Sequence, residues 1–462
     1  MKRTAVVAVI LTMLAGAAAC GGGGSEGPGG STHKVNQATI QGSELGQKLD
    51  LSKLSPSIKD PSQPVTITFA SWVGSSPLMQ KLAKQFHQIH PNISIKFEDV
   101  PAESMQTKLT TQIAGGNAPD AAYVDSGTVG SFGPRGALVQ LDDYISKSKG
   151  VVASDYVPAF RTMNEWQGHM YGLPYDGEST ALFYRTDLFK AAGITSPPKT
   201  WAEMQADAAK LTIPAKKQYG IALFATQGET SYYYYPFLYQ AGGTQTIDND
   251  TKIGYDSTAG KKAAEFYVGL RKYSPSDLWA SNSWDGRVSF ATGKVGMYIA
   301  GAWFAGEMNN SYPKIKGKWA VAPLPTETAG SQCATTIAGD SLVILSQSKN
   351  QDAAWKWIEF LSAPQNMALW NIGTKKAPSS LLPPRTSLLN NPHVFDNNPV
   401  LAGFADNMKC GITDLSQNPN WGKVDAGPLS DALAQGIYGK EDVGKAFDSS
   451  ASQANDMLSA PS

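Results

Sequence analysis

Apolar and polar positions between residues 65 and 124 follow two periods in alternation, and each period predicts a different element. Apolar residues at every second position predict strands, and apolar residues at three- and four-residue spacing predict helices. In chain order, these segments are strand 65–69, helix 78–89, strand 93–97, helix 105–113 and strand 121–124. Strands that alternate with helices indicate a parallel sheet covered on both faces, whose ligands meet the loops after the strands.

A different pattern occupies residues 166–189, where two short apolar segments flank an irregular polar one. Gly172 and Pro174 exclude a buried helix from the first segment. Residues 176–180 are small and acidic at a place where a strand would otherwise continue, and residues 181–184 are apolar again. We interpret this stretch as a ribbon that passes from one lobe to a second, with polar side chains at the junction, where small-molecule sites usually lie.

Length and composition narrow the class of protein. A chain of 462 residues is too long for one compact core and predicts two or more domains. The 39 basic residues balance the 39 acidic ones, whereas a nucleic-acid-binding protein would show a basic excess, so we expect no nucleic-acid partner. Many of the 11 Trp, 18 Tyr and 16 Phe stand beside Gly, Ser or Asn. We expect most of these rings to pack in cores and the rest to line a binding site.

The N-terminus has the pattern of an export signal. A basic start, Lys2-Arg3, precedes a small apolar segment that is too short to span a bilayer. The sequence Ala17-Ala-Ala-Cys20 that follows resembles the lipobox of bacterial lipoproteins, in which the cysteine becomes the lipidated first residue. It implies a signal peptide over residues 1–20 and a lipid anchor at Cys20 on the extracytoplasmic face of the cell membrane. The alternative is an ordinary secretory signal in which Cys20 is incidental.

Residues 21–64 are rich in Gly, Ser, Pro, Gln and Lys and show no sustained period. This composition predicts a flexible tether between the anchor and the folded part. The two other cysteines are Cys333 and Cys410. They could pair in an oxidising compartment, but the sequence does not show whether their Cα atoms come close enough, so a disulfide and two free thiols both stay open.

Four groups of short motifs follow one another along the chain. They are Gly115-Gly-Asn-Ala-Pro-Asp-Ala-Ala-Tyr-Val-Asp125 with Gly136-Ala-Leu-Val-Gln-Leu-Asp-Asp-Tyr144, Tyr171-Gly-Leu-Pro174 with Leu182-Phe-Tyr-Arg-Thr-Asp-Leu188, Phe290-Ala-Thr-Gly-Lys-Val-Gly-Met297 with Gly301-Ala-Trp303, and Ala338-Gly339 before 341–344. This ordered set resembles the family 1 extracellular solute-binding proteins of ABC importers, which include the maltodextrin-binding type. The resemblance covers roughly residue 65 to the C-terminus. Arg185 departs from it, since the family usually has Asn there.

The resemblance implies an α/β chain with the two-lobed fold of type II periplasmic binding proteins. Each lobe would be a mainly parallel sheet flanked by helices, and several strands would form the hinge. We therefore expect residues 65–175 and 325–377 in lobe 1, and residues 176–324 and 378–462 in lobe 2. A chain that crosses the junction more than once makes a hinge that closes without sliding the lobes.

The implied function is that of a binding protein and not of an enzyme. It would capture a mono- or oligosaccharide in the cleft and deliver it to the permease subunits of an ABC importer. The expected partners are thus a carbohydrate, the permease and the membrane, reached through the N-terminal anchor. We expect a monomer that holds no cofactor and no metal.

A neutral sugar needs aromatic faces for its C–H patches and hydrogen-bond acceptors for its hydroxyl groups, and carboxylates accept several hydrogen bonds each. The candidates that rest on motif position within the family are Trp72, Asp125, Asp176, Trp303 and Gly339. The candidates that rest on proximity alone are Glu178, Tyr232 and Asp340. Each of them could instead be a cap, a turn or part of a core.

Other functions stay open at this point. A glycosidase needs two carboxylates about 5–10 Å apart, and Asp176 with Glu178 is not excluded. Relatives of this architecture that bind ferric ion hold it with neighbouring tyrosines, and residues 232–235 are four tyrosines in a row. Lys375 and Lys376 could help to bind a phosphorylated polyol, or could only satisfy the C-terminus of a helix.

Overall fold

The protein is represented by a computed structural model that describes residues 49–226, 229–280, 283–374, 377–391, 393–396, 399–412 and 416–461. The predicted signal peptide, Cys20 and most of the predicted tether lie outside the described residues, and so do Lys375 and Lys376. Within the described ranges, none of the helices is both long enough and apolar enough to cross a membrane.

Strands and helices share the described residues, which confirms the α/β class. The strands are β1 Val65–Ser71, β2 Ile93–Asp99, β3 Ala121–Asp125, β4 Glu165–Trp166, β5 His169–Met170, β6 Leu173–Pro174, β7 Glu178–Ser179, β8 Ala181–Tyr184, β9 Tyr219–Ile221, β10 Thr246–Ile247, β11 Lys252–Ile253, β12 Val295–Ala300, β13 Ala320–Ala322, β14 Ile337–Ala338, β15 Asp340–Ile344, β16 Gly373–Thr374 and β17 Ala377–Pro378. The α-helices are α1 Pro77–Ile89, α2 Ala102–Ala114, α3 Gly127–Phe132, α4 Asp142–Lys147, α5 Pro158–Thr162, α6 Thr186–Ala191, α7 Trp201–Leu211, α8 Glu229–Gln240, α9 Thr258–Gly269, α10 Ser283–Thr292, α11 Trp303–Ser311, α12 Gln351–Ser362, α13 Pro364–Asn371, α14 Thr386–Leu389, α15 Val400–Asn407, α16 Trp421–Val424, α17 Ser430–Tyr438 and α18 Val443–Ser459.

The first sheet has five strands in the order β2-β1-β3-β15-β6. The strand β1 is parallel to both β2 and β3, and Phe69 stands beside Phe97 on one side and Ala121 on the other. The strand β15 is antiparallel to β3, so that Asp340 pairs with Asp125. The end of β3 and the start of β15 therefore lie at one edge of the sheet.

The second sheet has four strands in the order β13-β8-β12-β9. Every residue of β12 is buried, as expected for an apolar strand covered on both faces. The strand β8 is antiparallel to both of its neighbours, whereas β9 is parallel to β12.

Each sheet thus keeps one direction for all strands except one, which refines the prediction of mainly parallel sheets. The exceptions are β15 in the first sheet and β8 in the second. Both strands directly follow a passage of the chain from one sheet to the other. The strands β8 and β15 enter their sheets from the junction and run away from it. The other strands of each sheet run in the opposite direction, towards the junction.

Each sheet also has its own buried core, and this confirms the two-lobed fold. One core contains Trp355 and Trp357 of α12, and the other contains Tyr234 of α8 and Tyr298 of β12. The structure places Leu388, which was expected in lobe 2, in the core of the first sheet. The sequence after residue 378 therefore contributes to both cores.

The segment 49–64 packs on the first lobe, which corrects the prediction of a flexible tether up to residue 64. Leu54 and Ile58 are buried in the first core. Asp60 forms an ion pair with Lys356, with 3.1 Å between Oδ1 and Nζ. Two apolar residues at a spacing of four explain the packing, although the polar composition around them hides this signal.

Cys333 and Cys410 form a disulfide, with their Cα atoms 5.4 Å apart. Next to it, the backbone N–H of Thr335 donates to the carbonyl group of Cys410 over 2.8 Å. Of the two alternatives that the sequence left open, the structure thus contains the covalent one, which ties the segment before β14 to the segment after α15.

Candidate functional site

A cavity of about 580 Å³ lies where loops of the two lobes meet. Its volume is in the usual range of small-molecule sites, about 300–1,000 Å³. Trp72 after β1 and Asp125 at the end of β3 line it from the first lobe, and Tyr232 of α8 and Trp421 of α16 line it from the second. The wall therefore combines aromatic rings with hydrogen-bonding groups from both lobes.

Four of the eight candidate residues line this cavity: Trp72, Asp125, Tyr232 and Gly339. The indole ring of Trp72 packs against the ring of Tyr123, with 4.6 Å between the ring centroids and 58° between the planes. This contact from the buried strand β3 fixes the orientation of the indole on the cavity wall.

Asp125 is the last residue of β3, and its side chain is open to the cavity. Its Oδ1 atom accepts a hydrogen bond from the backbone N–H of Gly127 over 2.8 Å. No described residue donates to its Oδ2 atom. The surrounding protein displaces water and so raises the pKa of the Asp125 carboxyl group. This oxygen is therefore an acceptor that a ligand could satisfy.

The four consecutive tyrosines lie on helix α8, and only two of them reach the cavity. Tyr232 and Tyr235 are three residues apart and line it together, as helical geometry requires. Tyr234 is buried on another face, where its hydroxyl group donates to the carbonyl oxygen of Gly260 over 2.8 Å. Neighbouring tyrosines on a helix point in different directions, which argues against the ferric-ion alternative. The residues that the structure describes contain no cluster of three or more His, Cys, Asp or Glu placed to hold a metal.

Glu178 stands behind the cavity wall and contacts it through Tyr232. The hydroxyl group of Tyr232 donates to Oε1 of Glu178 over 3.1 Å. The Oε2 atom is buried and has no hydrogen-bond partner in the described part of the chain. Burial raises the pKa of Glu178 to about 7, and the nearby charges of Asp176 and Asp125 add to this effect.

Trp303, the first residue of α11, also lies outside the cavity lining. The guanidinium group of Arg287 lies 4.2 Å from the centroid of its ring, and Arg287 pairs with Glu307 over 3.1 Å. A Cβ atom on Gly301 would come within 2.0 Å of Oε2 of Glu178 and 2.6 Å of Nε1 of Trp303. The absence of a side chain at position 301 thus makes room for the two functional groups to lie near each other.

Asp176 and Asp340 form a buried network beneath the cavity. The hydroxyl oxygen of Tyr123 is 2.6 Å from Oδ2 of Asp176 and 2.5 Å from Oδ2 of Asp340. Asp176 also accepts hydrogen bonds from the indole N–H of Trp370 over 3.0 Å and from the backbone N–H of Asp340 over 3.1 Å. With an exposed fraction of 1%, Asp176 is closed to a ligand in this conformation.

Asp176 and Asp340 differ in how readily they take up a proton, and both lie next to the single hydroxyl proton of Tyr123. One tyrosine hydroxyl group has one proton, so it donates to only one of two carboxyl groups. Burial and the charge of Asp176 raise the pKa of Asp340 well above its usual range. Asp340 is therefore the acid that takes up a proton more readily, and when protonated it donates to the oxygen of Tyr123 while Tyr123 donates to Asp176.

Three segments of the chain meet at the junction of the lobes. The strands β7 and β14 pair there, with Glu178 opposite Ala338. A Cβ atom on Gly339 would lie only 2.3 Å from the carbonyl oxygen of Asp176, so the first two segments approach as closely as backbones allow. The third segment donates the backbone N–H of Leu382 to the carbonyl oxygen of Gly177 over 2.7 Å.

Several residues of the lining were not among the predicted site residues, above all Trp421, Tyr235 and Asp425. The hydroxyl group of Tyr235 donates to Oδ1 of Asp425, whose pKa is raised by burial. Trp421 stands between Asn420 and Gly422, and a ring beside such residues is the kind of aromatic that was expected to line a site. That signal was present, but nothing in the local sequence places residue 421 near residue 72.

The glycosidase alternative depended on Asp176 and Glu178, and neither lines the cavity. The carboxyl groups that do line it are those of Asp125 and Asp425, one from each lobe. Asp425 already accepts the Tyr235 hydroxyl group. The geometry therefore gives no support to the predicted pair of catalytic carboxylates.

The chain is similar to known binding proteins over most of its length. Residues 70–368 match the family described as bacterial extracellular solute-binding protein. The mannitol-binding protein of Pseudomonas aeruginosa is 28% identical over 287 residues, which are 60% of this chain and 64% of that protein. The maltotriose-binding protein of Pyrococcus abyssi is 24% identical over 356 residues, which are 75% of this chain and 72% of that protein.

One solved structure is similar to this chain in its fold. It is an ABC transporter solute-binding protein of Thermotoga lettingae bound with α-D-tagatose. The two structures superpose with a TM-score of 0.75 at 26% sequence identity, over 86% of this chain and 100% of that one. The fold of this chain is thus shared with a protein whose structure was solved with a sugar bound.

Proposed function

Because the chain belongs to the family of bacterial extracellular solute-binding proteins, we propose that it binds a mono- or oligosaccharide, or a related polyol, for an ABC importer. The ligand occupies the cavity between the lobes and passes to the permease subunits in the membrane. Relatives that bind mannitol or maltotriose, and the similar structure with tagatose, support this class of ligand.

The observation that carries the proposal is the composition of the cavity wall. Trp72 from one lobe and Trp421 from the other offer flat faces to the C–H patches of a sugar ring. Asp125 offers an acceptor oxygen to a hydroxyl group, and Tyr232 and Tyr235 add hydroxyl groups from α8. A buried hydroxyl group without a partner costs about 1–3 kcal/mol, so this wall favours a ligand with many hydroxyl groups.

The eight candidate residues then take different roles. Trp72, Asp125, Tyr232 and Gly339 contact the ligand directly. Glu178 and Trp303 form an adjoining pair that Tyr232 connects to the cavity. Asp176 and Asp340 position the junction through Tyr123 and leave the ligand to other groups.

Transport requires that the permease distinguish the loaded protein from the empty one. A ligand that contacts both lobes favours the closed form in proportion to its differential affinity for that form. The three segments at the junction allow such closure about a hinge. The permease then recognises the closed protein.

The location follows from the sequence and the family. We propose cleavage before Cys20, lipidation of that cysteine, and a tether between it and the folded part. The protein then works as a monomer on the extracytoplasmic face of the membrane. Substitution Cys20→Ala should release the mature protein from the membrane fraction, and retention would reject the anchor.

A ligand screen tests the function itself. Thermal unfolding is followed with mannitol, tagatose, maltotriose and a panel of other sugars, and each hit is titrated by calorimetry. A ligand at one hundred times its dissociation constant adds about 2.7 kcal/mol to the stability. A panel without a single hit rejects saccharide binding, and product formation during incubation with oligosaccharides rejects the non-enzymatic role.

A further inference from the structure

The charges of the cavity wall are of one sign. Asp125 and Asp425 line it, and no Lys, Arg or His occurs among its lining residues, all of which belong to the described ranges. The N-terminal turn of α2 also reaches the wall through Ala102, and such a turn carries about half a positive charge. The N-terminal residues Gly127 and Thr128 of α3 line the wall as well, and the N–H of Gly127 already pairs with Asp125. The two aspartates are the only acidic or basic side chains among the described residues of the lining.

The acids that lie behind the wall strengthen this asymmetry. Asp340 lies opposite Asp125 in the pairing of β15 with β3, and the charges of Asp125 and Asp176 add to the raised pKa of Glu178. Arg287 is a cation that acts on Glu178, and its guanidinium group pairs with Glu307 and covers the ring of Trp303. Its positive charge is thus already matched by a partner outside the lining.

The two acids of the cavity lining, Asp125 and Asp425, differ in the hydrogen bonds that they accept. Asp425 accepts the hydroxyl group of Tyr235. Asp125 accepts only the backbone N–H of Gly127 at Oδ1, and its Oδ2 atom has no partner in the described part of the chain. Trp72 lines the cavity from the same lobe as Asp125. Its aromatic face attracts cations as well as C–H groups.

On the basis of the proposed function, we infer that the cavity selects sugars or polyols that carry a protonated amine, with Asp125 as the counter-ion. A cation next to Asp125 replaces the water that the protein walls displace, and it is attracted by each nearby acid that is ionised. A neutral analogue meets the same hydrogen bonds without this gain. A phosphate or carboxylate group on the ligand is disfavoured.

The test compares ligands that differ in one group. D-glucosamine, D-glucose, D-glucuronate and D-glucose 6-phosphate form one set, and the dimer of β-1,4-linked glucosamine with cellobiose forms a second set. Calorimetric titration at pH 7 should give the amine at least tenfold tighter binding than the neutral sugar in one of the sets. The two anionic sugars should bind at least tenfold more weakly than glucose.

Asp125→Asn identifies the residue responsible. The variant keeps an oxygen for the N–H of Gly127. It should lose the preference for the amine, so that the affinities for the amine and the neutral sugar come within threefold of each other. Asp406→Asn is the matched control, because Asp406 is exposed and pairs with Lys409 outside the cavity. Circular dichroism and melting curves show whether each variant is folded. If Asp125→Asn does not fold, the loss of preference at 1 M salt, where screening is strong, replaces it as the readout.

The outcomes separate this inference from the proposed function. Equal or tighter binding of the neutral sugar, or of a sugar phosphate, overturns the charge selection and leaves the saccharide-binding role intact. An amine preference that persists in a folded Asp125→Asn variant overturns the assignment of that residue. Failure of every sugar and polyol to bind overturns the proposed function, and the inference with it.

Discussion

Asp176 and Asp340 lie on different segments of the chain at the junction of the lobes, and the hydroxyl group of Tyr123 stands within 2.6 Å of one and 2.5 Å of the other. Burial and the charge of Asp176 raise the pKa of Asp340, so Asp340 takes up a proton more readily than an ordinary carboxyl group. All three side chains lie outside the cavity lining, and the network holds two connecting segments against the first sheet.

Tyr123→Phe removes the hydroxyl group that joins the two acids. The acids keep their places but lose a donor and an acceptor in a buried setting, so we expect the free energy of unfolding to fall by about 1–3 kcal/mol. Urea unfolding at pH 7 measures this change.

The matched control for this variant is Tyr144→Phe. The hydroxyl group of Tyr144 donates to Oδ1 of Asp352 over 2.8 Å at an exposed position. Exposed changes of this kind usually stay within about 0.5 kcal/mol. If both variants lost the same stability, the buried network would have no special role.

Glu178 makes the stability depend on pH near neutrality. Its pKa rises from an ordinary value of 4.5 to about 7, since burial disfavours the charged form. The folded protein therefore binds this proton more tightly than the unfolded chain. The contribution to stability is complete below pH 4.5 and is lost as the pH rises through 7.

The comparison of wild type with Glu178→Gln isolates this group. The variant stays neutral at every pH and still accepts the Tyr232 hydroxyl group. Relative to it, wild type should lose about 1–3 kcal/mol of unfolding free energy between pH 4.5 and pH 8. Glu441→Gln, at an exposed position, should leave the pH profile unchanged. Parallel profiles for wild type and Glu178→Gln would show that the carboxyl group titrates normally.

Gly339→Ala tests how closely the segments at the junction approach. The added Cβ atom would lie 2.3 Å from the carbonyl oxygen of Asp176, so one of the two backbones must move. We expect a loss of about 2 kcal/mol or more, as in other overpacked sites, measured by thermal unfolding.

Gly403→Ala is the control for the same chemical change. Gly403 lies on the exposed side of helix α15, and a Cβ atom added there would meet no other atom within 4 Å. Alanine is favoured over glycine in a helix by about 1 kcal/mol, so this variant should be slightly more stable than wild type. A stable Gly339→Ala protein would mean that the junction is looser than described.

Trp421→Ala removes the aromatic face that the second lobe offers to the cavity. We expect at least tenfold weaker binding of any sugar found in the screen, because stacking on that face and the enclosure of the ligand are both lost. Calorimetric titration measures the affinity. Tyr438→Ala removes a ring of which 38% is exposed and which lies outside the cavity, and its affinity should equal that of wild type. Unchanged affinity in Trp421→Ala would place the ligand elsewhere.

The periodic patterns of the sequence carry most of the fold. The expected helix 78–89 is Pro77–Ile89 in the structure, and the expected strand 65–69 is the body of β1. Periodicity reports which face of an element is buried, so it succeeds where one apolar face meets one core. It does not report the direction of a strand, and the reversal of β8 and β15 depends on where the chain enters each sheet.

The candidate site was harder to predict, because it is assembled from segments that are distant in the sequence. Asp125 ends a strand at the edge where loops gather, and that position indicates a site directly. Asp176 has the same chemical character, yet Tyr123 and Trp370 enclose it, and only the three-dimensional packing shows this. Trp421 lies almost 350 residues from Trp72, and no local pattern connects them.

The network of Tyr123, Asp176 and Asp340 lies outside the cavity lining, whereas the rings that line the cavity come from separate loops and helix ends. Substitutions at Trp421 can therefore change the cavity wall without touching this network, whereas Trp72 packs against Tyr123 and is tied to it. This separation would let one scaffold diversify its cargo during evolution while it continues to serve the same transport cycle.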